Sequence, residues 1–336
     1  MKYGTGRFTS KLRILNKGTF VISLDFELHW GVSDHRTVES YYENLSNTPS
    51  VVRRLLSTFT TRGIHVTWAT VGMLFCRSKA ELSSFVPDNK KPTYTNPALS
   101  NYKVAESAGN NESDDPFHYA NTLVKEIIGS PGQEMATHTY SHYYCLEPGQ
   151  TPDQFYSDLL AAFEVTRREG ATPASIVFPR NQYNEDYLEK CRLAGIKIYR
   201  GNFPSWIYRS EAKSTETLWK RLFRLADTYL PIAGYRGVKA VFSHGMLNIP
   251  ASCFLRPYSN RLSFLENMRI NRIKKEMTDA AKKGLIYHLW WHPHNFGRNM
   301  AANFRNLEII LDHFSELEKK YGMRSMNMKE IYEAYQ

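Results

Sequence analysis

Three apolar, strand-like runs far apart in the chain end in the same way, in side chains that bind metal ions or carry protons. Phe20-Val21-Ile22-Ser23-Leu24 runs into Asp25-Phe26-Glu27, and Met135-Ala136-Thr137 runs into His138-Thr139-Tyr140-Ser141-His142. Ile286-Tyr287-His288-Leu289-Trp290-Trp291 runs into His292-Pro293-His294. In barrels of alternating strands and helices, chemistry collects at the C-terminal ends of the strands. Three ligand-capable clusters in that one register therefore argue for a parallel sheet whose strand ends share a single site. Taken singly, each cluster is weak. Histidines four apart occur on many helices, and an Asp at a strand end commonly caps the next helix.

The remainder of the chain reads as strand and helix in alternation. Thr19 to Leu24 is a strand by its β-branched apolar run, and Pro49 to Thr61 a helix with Val51, Val52, Leu55, Leu56 and Phe59 on one face. Gly63 stops that helix, and Ile64 to Val71 is the next strand. Further helices are expected at His118 to Ile128, from Thr151, at Asn184 to Leu193, Leu218 to Tyr229, Leu262 to Lys283 and Asn303 to Tyr321, and after Met326. Strands are expected at Glu134 to Ala136, Ala174 to Phe178, Ile196 to Tyr199, Val238 to Phe242 and Leu285 to Trp291, and a short segment at Met323 to Met326 leads into the last helix. Asp88 to Pro116 breaks the rhythm, being rich in Asn, Ser, Pro and Lys. Long polar insertions of this kind are often lids or substrate loops, so a mobile segment bordering the site is expected there. The division is then a basic N-terminal segment, 1–18, and one domain, 19–336.

With 43 basic against 33 acidic residues, the net charge of +10 suits an anionic partner or membrane surface. The basic residues are dispersed, as in Arg53-Arg54, Lys90-Lys91 and Lys282-Lys283, and accompany no nucleic-acid motif, so no nucleic-acid partner is expected. Cys76, Cys145, Cys191 and Cys253 form no Cys-x-x-Cys pair, a pattern of reduced thiols rather than a disulfide framework. The N-terminus lacks the apolar core of a secretory signal, and no run approaches the roughly 20 apolar residues of a membrane span. A cytoplasmic protein is expected, at most touching the inner face of a membrane.

Neutral imidazoles with a carboxylate are the ligands zinc takes in open catalytic sites. Thr139 stands where a zincin would carry its Glu, which argues against a protease of that type. With these motifs the chain resembles the polysaccharide deacetylases of carbohydrate esterase family 4, over roughly Phe20 to Tyr332. The match is most specific at His138-Thr139-Tyr140-Ser141-His142, which fits the family's His-Ser/Thr-x-x-His motif. Ser23-Leu24-Asp25-Phe26-Glu27 takes the place of the acidic motif, with a spaced pair where many members have adjacent aspartates.

The resemblance implies an α/β fold, a distorted (β/α)7-8 barrel, and a divalent metal, zinc by ligand type, held by Glu27, His138 and His142. It implies Asp25 as base, His292 as general acid and Arg180, in Phe178-Pro179-Arg180, as the arginine that orients Asp25. His294, beyond Pro293, is expected to be held less firmly than His292. Asp227 lies in the part of the chain where an acid tuning that histidine would fall. Trp30, Tyr143, Trp290 and Trp291 flank the motifs and could stack on a pyranose ring.

The activity implied is removal of an N-acetyl group from a sugar of a glycan or glycan precursor. A membrane-bound, lipid-linked substrate would give the chain a peripheral membrane contact. Hydrolysis of another C–N amide, such as a ureide, and a glycan-binding module without catalysis are the alternatives.

Overall fold

The computed structural model describes residues 17–209, 211–212 and 217–336; most of the basic segment 1–18 lies outside them. The chain alternates strand and helix: β1 (Thr19–Phe26), α1 (Thr48–Arg62), β2 (Val66–Thr70), α2 (Asn121–Ile128), β3 (Gln133–Thr137) and α3 (Pro152–Arg168). There follow β4 (Ser175–Ile176), α4 (Glu185–Ala194), β5 (Ile198–Tyr199), α5 (Leu218–Asp227), β6 (Val241–Ser243) and β7 (Met246–Asn248). The chain ends with β8 (Cys253–Phe254), α6 (Glu266–Lys283), β9 (Ile286–Trp291), α7 (Met300–Tyr321), β10 (Arg324–Ser325) and α8 (Met328–Tyr335).

The strands form one sheet in the order β6-β7-β5-β4-β3-β2-β1-β9-β8, with β10 beside the start of β1. Every pairing is parallel except the β6–β7 hairpin. Parallel strands covered on both sides read as continuous apolar runs, and all of β1 is buried. The helices cover it as the periodicity implies: α1 buries Val51, Val52, Leu55, Leu56 and Phe59, and Gly63 ends it at φ +62°.

β7 and β8, at or next to the two ends of the sheet, are joined by a short crossing segment. Ile249 N–H donates to Tyr199 O and Ala251 N–H to Gly201 O on the β5 side, then Ser252 N–H donates to His288 O and Leu255 N–H to Trp290 O on the β9 side. The sheet thereby curls into a distorted barrel, and the C-terminal ends of β1, β3, β5 and β9 face one mouth.

Two expectations are corrected. The strand read at Val238 to Phe242 is shorter and shifted, Val241–Ser243, and forms the first arm of a hairpin, 241–248. It turns through His244 and Gly245, both at positive φ, as two-residue turns between twisted strands require. The segment Asp88 to Pro116 is folded rather than a structureless loop, with helical turns at Asp88–Lys90, Pro97–Leu99 and Asn101–Ser107. Its Tyr94, Leu99 and Tyr102 are buried, which supplies the apolar anchoring that its polar composition concealed. The four cysteines are buried and unbridged.

Candidate metal centre and active site

The site is built from the barrel axis outward. Ser23 and Asp25, two apart on β1, point into the barrel, and Glu27 continues the row one residue past the strand. Leu28 takes φ +47° as the chain turns away. Gly31 is required there, because a Cβ at that position would overlap the Glu27 carboxyl group.

The two histidines of the second motif come from a loop, not a helix. Thr139 and His142 both have positive φ, strain that persists only where surrounding contacts enforce it. Asp158 on α3 supplies those contacts, accepting from Tyr140 N–H at 2.7 Å, from Ser141 N–H and from the Ser141 hydroxyl. Burial pushes the Asp158 carboxyl up to about 6. Asn101, from the folded polar insertion, donates to Ser141 O at 3.0 Å and to Trp30 O at 2.9 Å, tying the first two motifs together.

With that turn fixed, His138 Nε2 lies 3.3 Å and His142 Nε2 3.0 Å from the same Glu27 oxygen, Oε2. His138 Nδ1 donates to Val177 O at 2.7 Å, which sets the tautomer and leaves the Nε2 lone pair aimed at that point. His142 Nδ1 sits 3.1 Å from the Tyr144 hydroxyl, and burial lowers its pKa, favouring the neutral ring. Three buried donor atoms within 4.8 Å of one another, from two imidazoles and a carboxylate, fit a divalent cation. Burial works against ionisation of Glu27, yet the neighbouring histidines hold its pKa well below the usual carboxylate range.

Asp25 is placed differently. Both its oxygens are taken by one guanidinium, Oδ1 by Arg200 Nη1 at 2.7 Å and Oδ2 by Nη2 at 2.8 Å. Burial opposes its ionisation, and Arg200 overcomes this to leave the pKa below the usual value. Arg200 follows β5, is 1% exposed, donates to Ser23 Oγ, and lies over the Trp290 ring at 4.3 Å. The arginine on Asp25 is thus Arg200. Arg180, expected in that role, donates instead to Asp34 at 2.5 Å, contacts Glu147 at 3.5 Å and stacks on Tyr144. Arg180 projects from a tight turn at φ +53°, which carries it to the rim of the mouth.

At the end of β9, His292 Nε2 lies 3.5 Å from Glu27 Oε1 and 3.8 Å from Asp25 Oδ2. Tyr41 donates to Asn295 Oδ1, which leaves Asn295 Nδ2 3.2 Å from His292 Nδ1 and turns the ring's Nε2 toward the carboxylates. His294 is not the loosely held residue expected beyond Pro293. It is 2% exposed, stacked against His292, with its carbonyl bonded by Asn44. Burial drops its pKa to about 3, so the ring is neutral. His292, whose side chain is 23% exposed, is the one open to the mouth.

A cavity of about 360 Å³ opens over these groups, lined by Asp25, Glu27, His138, His142, Trp290 and His292 among others. Of the four aromatics flanking the motifs, Trp290 lines it; Trp30, Tyr143 and Trp291 are buried in the core. Asp227 lies outside the cavity lining, in a buried cluster with Arg236 and Arg272. Sequence reasoning missed Arg200, Asp158 and Asn101. Arg200 alone carried a signal, since it too follows an apolar strand.

A scan against protein-family models gives no match, and neither does a search of curated proteins. Solved structures do match. A Mycobacterium smegmatis protein assigned to the polysaccharide deacetylases superposes with a TM-score of 0.58 at 14% identity, covering 95% of this chain and 90% of that one. A Pseudomonas aeruginosa protein of the same assignment gives 0.55 at 13% identity, over 94% and 90%. A GH57-type branching enzyme from Pyrococcus horikoshii gives 0.54 at 12% identity, over 95% and 71%. A shared fold does not fix chemistry, and the last of these is named for a different activity. The chain has the distorted barrel fold found in polysaccharide deacetylases.

Proposed function

We propose that the chain is a metal-dependent hydrolase that removes the N-acetyl group from a sugar of a glycan or glycan precursor. The observation carrying this reading is the convergence of His138 Nε2 and His142 Nε2 on one oxygen of Glu27, with Asp25 and His292 at its edge. Glu27, His138 and His142 would hold the cation, zinc by ligand type, which polarises an amide carbonyl and acidifies water.

The chain's own groups then divide the proton work. Asp25, kept ionised by Arg200, accepts the proton of the attacking water. His292 delivers a proton to the departing sugar nitrogen from the open side of the cavity, a contribution on the order of 10²–10⁴-fold. Trp290 offers a flat apolar face for a pyranose ring beside these groups. Arg180, held by Asp34 and Glu147, borders the mouth and contacts substrate rather than the base.

Acetate release from N-acetylglucosamine oligosaccharides and from an N-acetylated nucleotide sugar, with a ureide assayed in parallel, tests the reading. Release that stops on chelation and returns with zinc is expected. Ureide turnover without acetate release moves the chain to another C–N hydrolase. Glycan binding with no turnover of any substrate leaves a binding module.

A further inference from the structure

Helix α5 is inverted. A surface helix normally turns its apolar face to the core and its charged face to water. Here Lys220, Arg224 and Asp227, spaced three to four apart, face the protein. Lys220 is only 5% exposed, donating to Arg209 O at 2.9 Å and pairing with Glu211 at 2.8 Å. Asp227 is fully buried against Tyr208 and Arg236, and Arg224 lines a cavity of about 250 Å³. The apolar side faces out: Trp219 is 72% exposed, Leu222 54% and Phe223 40%. Trp206, 64% exposed, packs edge-on against Phe223, and Leu230 and Ile232 extend the patch. Contiguous exposed apolar surface of this kind marks a binding face.

The charge around the patch says what covers it. Arg209 and Arg221 are exposed at its margin, while Glu211 and Asp227 are neutralised by the pairs just named. At its far edge Tyr235 shares a surface depression with Lys274, Lys275 and Lys282 of α6. Exposed Trp and Leu ringed by Lys and Arg suit an anionic lipid bilayer, where rings sink to the acyl boundary and cations meet headgroups. No helix among the described residues is long and apolar enough to cross a membrane, so the contact would be peripheral.

We infer that α5 and its flanks, 206–235, form a docking surface for an anionic membrane. The cavity behind α5 shares Arg180, Asn181, Phe254 and Trp290 with the cavity over the metal centre. A headgroup seated at the bilayer therefore has a basic path from the surface to Asp25 and His292. Vesicle binding needs no turnover, so this inference is tested apart from the hydrolase reading.

The test is co-sedimentation of the full chain with phosphatidylcholine vesicles, with and without phosphatidylglycerol, for the native protein and a Trp219→Ser, Leu222→Ser double variant. Binding should be about tenfold or more stronger with the anionic lipid, given two marginal cations. The double variant, altered only at exposed positions, should lose about tenfold or more of it. Tryptophan fluorescence of the native protein should be quenched by brominated lipid in the same vesicles. Failure to bind anionic vesicles, unchanged binding by the variant, or absence of quenching overturns the inference. A native dimer that dissociates in the variant, without vesicle binding, assigns the face to a second copy instead.

Discussion

Among the described residues, carboxylates and guanidinium groups are buried together around Asp227 and around Asp25, and each cluster borders a cavity. Around Asp227, every carboxylate oxygen has a donor. Oδ2 accepts from Tyr208 at 2.6 Å and Oδ1 from Ala233 N–H at 2.8 Å, with Arg236 and Arg272 alongside. Glu276 in the same cluster accepts from Arg236, Arg272 and Tyr287. Around Asp25 the pairing stops halfway. Arg200 satisfies Asp25, but Glu27 is met by imidazole Nε2 atoms whose lone pairs need a shared cation or proton. Buried charge is therefore no mark of a functional site. Lone pairs converging on a cavity are, and this separates the site at Asp25 and Glu27, to which the motifs already pointed, from Asp227, which the sequence placed only by its region of the chain.

The largest effect that would sharpen this contrast is loss of an imidazole. His138→Ala or His142→Ala should remove bound metal and reduce turnover to background, read by metal analysis and acetate release. Retained metal in either variant would break the contrast. In the closed cluster, Arg236→Met should leave two carboxylates short of a partner and lower stability by about 3–5 kcal/mol. Metal content per folded chain should be unchanged in that variant; denaturant unfolding together with metal analysis checks both. His292→Ala should cut turnover by about 10²-fold with metal retained. His294→Ala should fall mainly on stability, because a buried neutral ring is removed, and a thermal melt beside the rate assay separates the two. The smallest effect belongs to Arg180→Ala, which should change the Michaelis constant more than turnover. Arg200→Ala should instead cut turnover, and equal turnover losses in the two would return Arg180 to the base.

Much of this was legible because parallel strands deliver their C-terminal residues to one place. The alternation of strand and helix, and the meeting of Glu27, His138, His142 and His292, follow from that register. Arg200 obeys the same rule after Ile198 and Tyr199, yet Arg180 was chosen for its neighbouring proline, a local pattern that the turn at φ +53° overrides. Asp158 gave no signal, since an acid within a helix looks like any other until the helix is packed. The segment 88–116 misled through averaging: two buried tyrosines and a leucine anchor it although its mean composition is polar. The orientation of α5 was equally hidden, because periodicity defines an apolar face without saying which way it turns.

The central claim is that Glu27 holds the metal while Asp25, satisfied by Arg200, does the proton work. Metal stoichiometry of Asp25→Asn and Glu27→Gln, measured on folded protein after equilibration with zinc, tests it most directly. The account predicts a near-native metal content with turnover lost in Asp25→Asn, and depleted metal in Glu27→Gln. Equal metal loss in the two variants, or depletion in Asp25→Asn alone, would contradict it.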